Sequence, residues 1–218
     1  LGSSSVAVGR NALNNQNFTT ATDTYNTAVG DLAGLSVTTG IQNTIIGGLA
    51  GDALTDADLN VAVGYLALSA DTLGSQSTAI GYKTLENQNF TTATDSYNTA
   101  VGGGAGRQIT TGKENTLIGA VSGDALTTGI RNVSVGFAAL TNDTLGQNSV
   151  AIGYSALFAQ NFTTATNAYN VSVGANSGAS VTTGIRNTLI GAFAGDALTD
   201  ADFNTAVGYG ALDSDTLG

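Results

Sequence analysis

The side chains that could do chemistry fall into two recurring groups. The first is acidic. Asp52, Asp56 and Asp58 lie in the stretch GDALTDAD, and Asp196, Asp200 and Asp202 repeat it. Clustered carboxylates on a loop are the donor type that binds calcium, and a mutually perturbed pair of them is what glycoside hydrolysis uses. The intermediate copy keeps only Asp124, with Thr128 and Ile130 at the other two places. The cluster is therefore read as a solvated acidic turn whose aspartates act as local caps. The second group is aromatic. Asn17-Phe18-Thr19-Thr20 recurs as Asn89-Phe90-Thr91-Thr92 and Asn161-Phe162-Thr163-Thr164, each closed by a tyrosine, Tyr25, Tyr97 or Tyr169. Phe18, Tyr25, Phe90, Tyr97, Phe162 and Tyr169 are candidate glycan contacts, because aromatic faces beside amides suit stacking on sugars. The alternative for the phenylalanines is that they fold back over the core and close a longer loop.

Other chemistries lack their residues. The chain has no His, the commonest acid/base group and metal ligand at neutral pH, and no Cys, Met, Pro or Trp. No catalytic, cofactor-binding or metal-ligating residue is assigned, and no cofactor is expected. Six Lys+Arg against sixteen Asp+Glu give a net charge of −10, which opposes binding to nucleic-acid phosphates or to an anionic membrane. No apolar run is long enough to span a bilayer as a helix.

The elements that carry these groups are set by a period. Gly9, Gly30, Gly47, Gly64, Gly81, Gly102, Gly119, Gly136, Gly153, Gly174, Gly191 and Gly208 are spaced 21, 17, 17, 17, 21, 17, 17, 17, 21, 17 and 17 residues apart. Turn-sized units are thus nested in 72-residue superrepeats, 1–72, 73–144 and 145–216, forming one array over 1–218. A unit this short cannot bury its own apolar face and must stack on its neighbours. The spacing predicts an all-β, parallel β-solenoid of 12 rungs of 17 or 21 residues, a rod roughly 55–60 Å long at one strand spacing per rung. Both ends fall within the array, so a segment of a longer fibre is expected.

Within a rung, Val or Ile precedes each glycine and Thr or Val stands two places earlier, as in NTAVG at Asn26 to Gly30. Alternation puts these two β-branched residues on one face of a strand. The residue on the other face is mostly small, but is Ile45, Leu117 or Leu189 in the third unit of each superrepeat, and a strand covered on both faces is expected. The expected core is a thin one of Val, Ile and Ala. The glycine turns the chain at positive φ, and the small-residue stretch after it, with its superrepeat order Leu13, Gly34, Gly51, Leu68, is expected to form a return strand. The asparagines that open most core strands are expected to bond along the axis as a ladder.

The units SVAVG at Ser5 to Gly9 and SVAIG at Ser149 to Gly153 resemble the head repeats of YadA-like trimeric autotransporter adhesins. The longer NTAVG units resemble the repeat arrays of bacteriophage tail fibres. These resemblances imply a left-handed parallel β-roll, a homotrimer and an extracellular place on a virion appendage or a bacterial cell surface. The repeats here are longer than the adhesin head repeat, so the extra residues are expected in loops. A homotrimer also follows modestly from packing, because three rods around an axis would cover a face that one rod leaves bare.

The expected function is therefore that of a structural, adhesive fibre segment. It would be a phage tail-fibre-like shaft or an adhesin head, with itself as first partner and a host surface glycan or receptor as second. An ice-binding solenoid is the competing reading. It is disfavoured because the Thr column at Thr38 and Thr55 is followed two places on by Gly40 and Ala57, not by a second threonine.

Overall fold

The computed structural model describes residues 2–218. The described residues are all β and turn, without a helix, and form a parallel β-solenoid of about twelve turns. They divide into two compact units, 1–111 and 112–218. In the first unit the core strands are Val6–Val8, Thr27–Val29, Thr44–Ile46, Val61–Val63, Thr78–Ile80 and Thr99–Val101, each paired in parallel with the next. Register is strict, with Thr44 opposite Val61 and Ile46 opposite Val63. The second unit repeats the pattern with Thr116–Ile118, Val133–Val135, Val150–Ile152, Val171–Val173, Thr188–Ile190 and Thr205–Val207.

Strands only three residues long hold because the turns beside them are fixed. All twelve recurring glycines have φ between 129° and 144°. A Cβ on Gly47 would lie 2.5 Å from the carbonyl oxygen of Gly64. Conformation and close stacking therefore both demand glycine there.

The expected return strand is absent. The stretch after each glycine is a chain of tight turns, in which N–H groups alternate between a carbonyl three residues back and one in the next rung. Ala50 donates to Gly47 and Gly51 to Ala67. The second and fourth residues after the glycine are left-handed in every turn, as at Leu49 (φ 55°) and Gly51 (φ 49°). Such a backbone cannot extend into a strand.

The core also differs from expectation. The middle residue of each three-residue strand points inward: Ala28, Ile45, Ala62 and Ala79 are fully buried, whereas Val29, Ile46 and Ile80 are exposed. The β-branched residues expected inside line the outer face. A three-residue strand turns only its middle side chain inward, and each turn adds one large aliphatic side chain near the corner. That side chain is Leu13, Leu68 or Leu85 at the fourth place after the glycine, or Val37 or Leu54 at the seventh. Where the seventh place is aliphatic, the fourth is glycine. Leu68 and Leu85 adopt φ of 54° and 50° at that fourth place, so glycine is there for room and not for conformation. A Cβ on Gly34 would lie 2.9 Å from Ile45 Cδ1, and one on Gly51 2.9 Å from Leu54 Cδ1.

The corner preceding each strand is tied by the expected asparagine ladder. Asn43 Oδ1 accepts from the Asn60 N–H at 2.9 Å, and Asn60 Oδ1 from the Ser77 N–H at 2.9 Å. The amide nitrogen works within its own turn: Asn43 Nδ2 donates to Ala57 O at 2.7 Å and Asn60 Nδ2 to Gly74 O at 2.9 Å. The second unit carries the same bonds from Asn115 and Asn132. These side chains are fully buried, so each bond also prevents an unpaired polar group.

Two substitutions test this account. Asn60→Ala leaves the Ser77 N–H and the Gly74 carbonyl unpaired, and is expected to lower unfolding stability by about 2–4 kcal/mol in urea denaturation. Gly51→Ala is expected to cost about 1–3 kcal/mol by overpacking. Adding Leu54→Val should recover part of that loss, so the double variant is more stable than the sum of the singles.

Candidate functional site

The three inserts are built around a buried polar node. Where the ladder reaches an insert, serine replaces asparagine, at Ser5, Ser77 and Ser149, and the missing amide comes from a glutamine eleven residues on. Gln88 Nε2 donates to Ser77 Oγ at 2.8 Å and to Asp71 Oδ2 at 2.6 Å, while Gln88 Oε1 accepts from Asn98 Nδ2 at 2.8 Å. Asp71 Oδ1 accepts from the Gly74 and Phe90 N–H groups, both at 3.0 Å. Gln160, Ser149, Asp143 and Asn170 reproduce the node within 0.2 Å. In the first copy Gln16 reaches Ser5 and Asn26 at 3.3–3.4 Å. Gly74 is required beneath this node, since a Cβ there would strike the Asp71 carboxylate and lie 2.8 Å from the Phe90 ring.

The inserts also add short strands to the turn. Gly74–Ser75 pairs with Thr94–Asp95, Gly146–Gln147 with Thr166–Asn167, and Gly2–Ser3 with Thr22–Asp23. Phe18, Phe90 and Phe162 fold inward and are 5–8% exposed. They close the loop, so these three rings present no face to a sugar. Tyr25, Tyr97 and Tyr169 point out and are 51–57% exposed. The Tyr97 hydroxyl accepts from Gln76 Nε2 and donates to Asp95 Oδ2, both at 3.4 Å. Of the six candidate glycan contacts, the three tyrosines are what the inserts present.

The acidic loops bond to the turn before them. Asp58 Oδ1 accepts from the Ile41 N–H at 2.7 Å and Asp202 Oδ1 from the Ile185 N–H at 2.7 Å. Asp56 Oδ1 accepts from the Thr39 hydroxyl at 2.5 Å. These aspartates cap a neighbouring rung, where local capping was expected. Among the described residues no three His, Cys, Asp or Glu side chains are grouped to hold a metal ion, and no pocket is present. In the Thr column the Thr38, Thr55 and Thr182 hydroxyls donate to carbonyls of the next rung at 2.9–3.2 Å.

Two features escaped the sequence reading. One is the glutamine–aspartate node. Its signal was the identical Gln88-Asn89-Phe90 and Gln160-Asn161-Phe162 triplets, coupled to serine in the ladder. The other is a surface column at the residue after each turn glycine. There Tyr65 stacks on Tyr82 with ring centroids 6.0 Å apart and planes 13° apart, and Phe137 on Tyr154 at 5.8 Å and 11°. Only the glycine separates Tyr65 from Val63 on the outer face, so these rings continue the exposed apolar strip.

Burial raises carboxyl pKa values both in the node and in the first acidic loop, at Asp52 and Asp58. Burial pushes the Asp71 and Asp143 carboxyls above the ordinary carboxylate range, against the pull of Gln88 or Gln160 and of the surrounding N–H groups. On the surface, Asp31 is held below its usual value by its hydrogen bonds to Arg10. A carboxyl with a raised folded pKa contributes its stability below the unfolded value and loses it as pH rises through the folded one. The melting temperature is therefore expected to carry a component that falls as pH is raised from about 4. A variant with Asp71→Asn and Asp143→Asn should melt lower overall and show a smaller component of that kind, as followed by circular dichroism across pH.

No protein-family model, no curated protein and no solved structure matches the chain.

Proposed function

We propose that the chain is a structural segment of an extracellular fibre, a phage tail-fibre-like shaft, in which copies associate side by side and present the insert tyrosines to a host surface glycan. The observation that carries this reading is the outer face of the core strands. It bears Thr, Val and Ile in every turn and no charge, in a chain whose net charge is −10. Val29, Ile46, Ile80, Ile118, Ile152 and Ile190 are each exposed by more than a third. With the adjoining aromatic rings, the exposed area of such side chains sums to roughly 600–800 Å² in each unit, close to the ~800 Å² that each partner buries in a stable interface and large for a surface that stays bare.

A second copy is the occupant that fits. The strip repeats at the strand spacing, and a body that contacts it turn after turn must repeat at the same spacing. Another array of this chain does so by construction. Three copies around an axis bring the strips together away from water and leave the acidic loops and inserts outside. Tyr25 and Tyr97 of the first unit stand four rungs apart, roughly 19 Å, a spacing suited to multivalent contact with a repeating surface glycan.

Light scattering coupled to size exclusion is expected to give the mass of three chains, and Ile46→Asp with Ile118→Asp on the outer face should reduce it to one while the circular dichroism spectrum is kept. A monomeric parent protein would overturn the reading.

A further inference from the structure

The outer strip raises a problem that its own residues do not solve. A wall of Thr/Val and Val/Ile repeated at the strand spacing looks nearly the same after a shift of one rung, so two such walls could slide past one another with little loss of contact. The column beside it is not uniform. Tyr65 and Tyr82 stand together, half exposed and nearly parallel, then Gly103 and Ala120 follow; Phe137 and Tyr154 stand together, then Ala175 and Ala192 follow, with the exposed Tyr209 after them. Before Tyr65 the position is Gly48, and a Cβ there would sit 3.5 Å from the Tyr65 ring, which leans over it. At the start of the array the column carries the Arg10–Asp31 ion pair instead. Each unit thus carries one projecting pair two turns tall beside low positions of small residues.

We propose that the aromatic pairs Tyr65–Tyr82 and Phe137–Tyr154 set the axial register between associated copies of the chain. This rests on the side-by-side association proposed above, and names the residues that make it specific. A closed ring with equivalent interfaces has no axial offset between its copies, so pairs lie level with pairs. A ring of the same mass with unlike interfaces can hold offsets that cancel around it, and the aromatic column is what disfavours these. A slip of one rung sets one ring of each pair against Gly or Ala and a slip of two sets both, forfeiting half and then all of the aromatic contact within a pair, the kind of contact that dominates interface energetics.

The chain has no cysteine, so Thr163→Cys on the exposed part of an insert gives a single spin-label site. In the otherwise unaltered protein, pulsed electron paramagnetic resonance is expected to give one narrow distance between copies. In a variant carrying Tyr65→Ala, Tyr82→Ala, Phe137→Ala, Tyr154→Ala and Tyr209→Ala, which leaves no ring in the column, light scattering should show the same mass, and the distance distribution should broaden into a set generated by rung-sized offsets of about 4.8 Å. A variant with Tyr82→Phe and Tyr154→Phe, which keeps the rings, should retain the narrow distance. If the alanine variant keeps the narrow distance, or becomes monomeric where the parent associates, register is not set by these rings and the proposal is overturned. A monomeric parent removes the association reading itself, and that is seen before any aromatic residue is changed.

Discussion

Every turn of this molecule depends on how the backbone passes from one coil to the next at a buried corner. The chain must bend there, and a bent backbone inside a narrow protein exposes N–H and C=O groups to a place without water. An asparagine side chain supplies both missing partners. Its oxygen takes an N–H from the neighbouring coil and its nitrogen ties down a carbonyl of its own coil, as Asn43 and Asn60 do. No other short side chain offers one acceptor and one donor in a fixed plane. Where the turn lengthens by four residues this geometry cannot be kept, and the structure divides the task among serine, glutamine and a buried aspartate.

The same narrowness governs the interior. Each coil has room for one sizeable aliphatic group near its corner, and the sequence supplies it from either of two positions while leaving the other small or polar. The resulting core is thin and evenly distributed, so stability is a sum of local contributions between adjacent coils. The left-handed residues in every turn are part of that cost. Leucine at Leu68 or Leu85 holds a conformation that bulky residues rarely adopt, and it persists because hydrogen bonds to both neighbouring coils fix the backbone on either side.

The fold class was legible because its causes repeat. The glycine spacing gave the coil length, Val and Ile before each glycine gave the strand, and asparagine at one phase gave the ladder. Which face is inside was not legible. In a three-residue strand both faces carry apolar atoms, and size alone assigns Val29 and Ile46 to the interior over Ala28. The phase of the turn decides it, since the inward position takes Ala28 in one coil and Ile45 in the next, and no local pattern states that phase. The turns after the glycine were misread as strand because a left-handed leucine has no signature in sequence. Of the candidate site, the inserts were found by their identity, and the roles of Phe90 and Tyr97 separated only once the node beneath them was seen. Gln88 acts on Ser77 across eleven residues, and the standard turns offer no counterpart from which to infer it.

The fit between Ile45 and the glycines flanking it reaches beyond a single coil. Gly34, which makes room for Ile45, belongs to the coil before it. Excising one coil from the gene would set a leucine-bearing neighbour beneath that isoleucine, and the two could not both be accommodated. Removing or duplicating a complete block of four leaves every junction as it was. Growth and shrinkage of such an array by recombination would therefore pass selection in steps of 72 codons, and the lengths found in nature should be quantised accordingly.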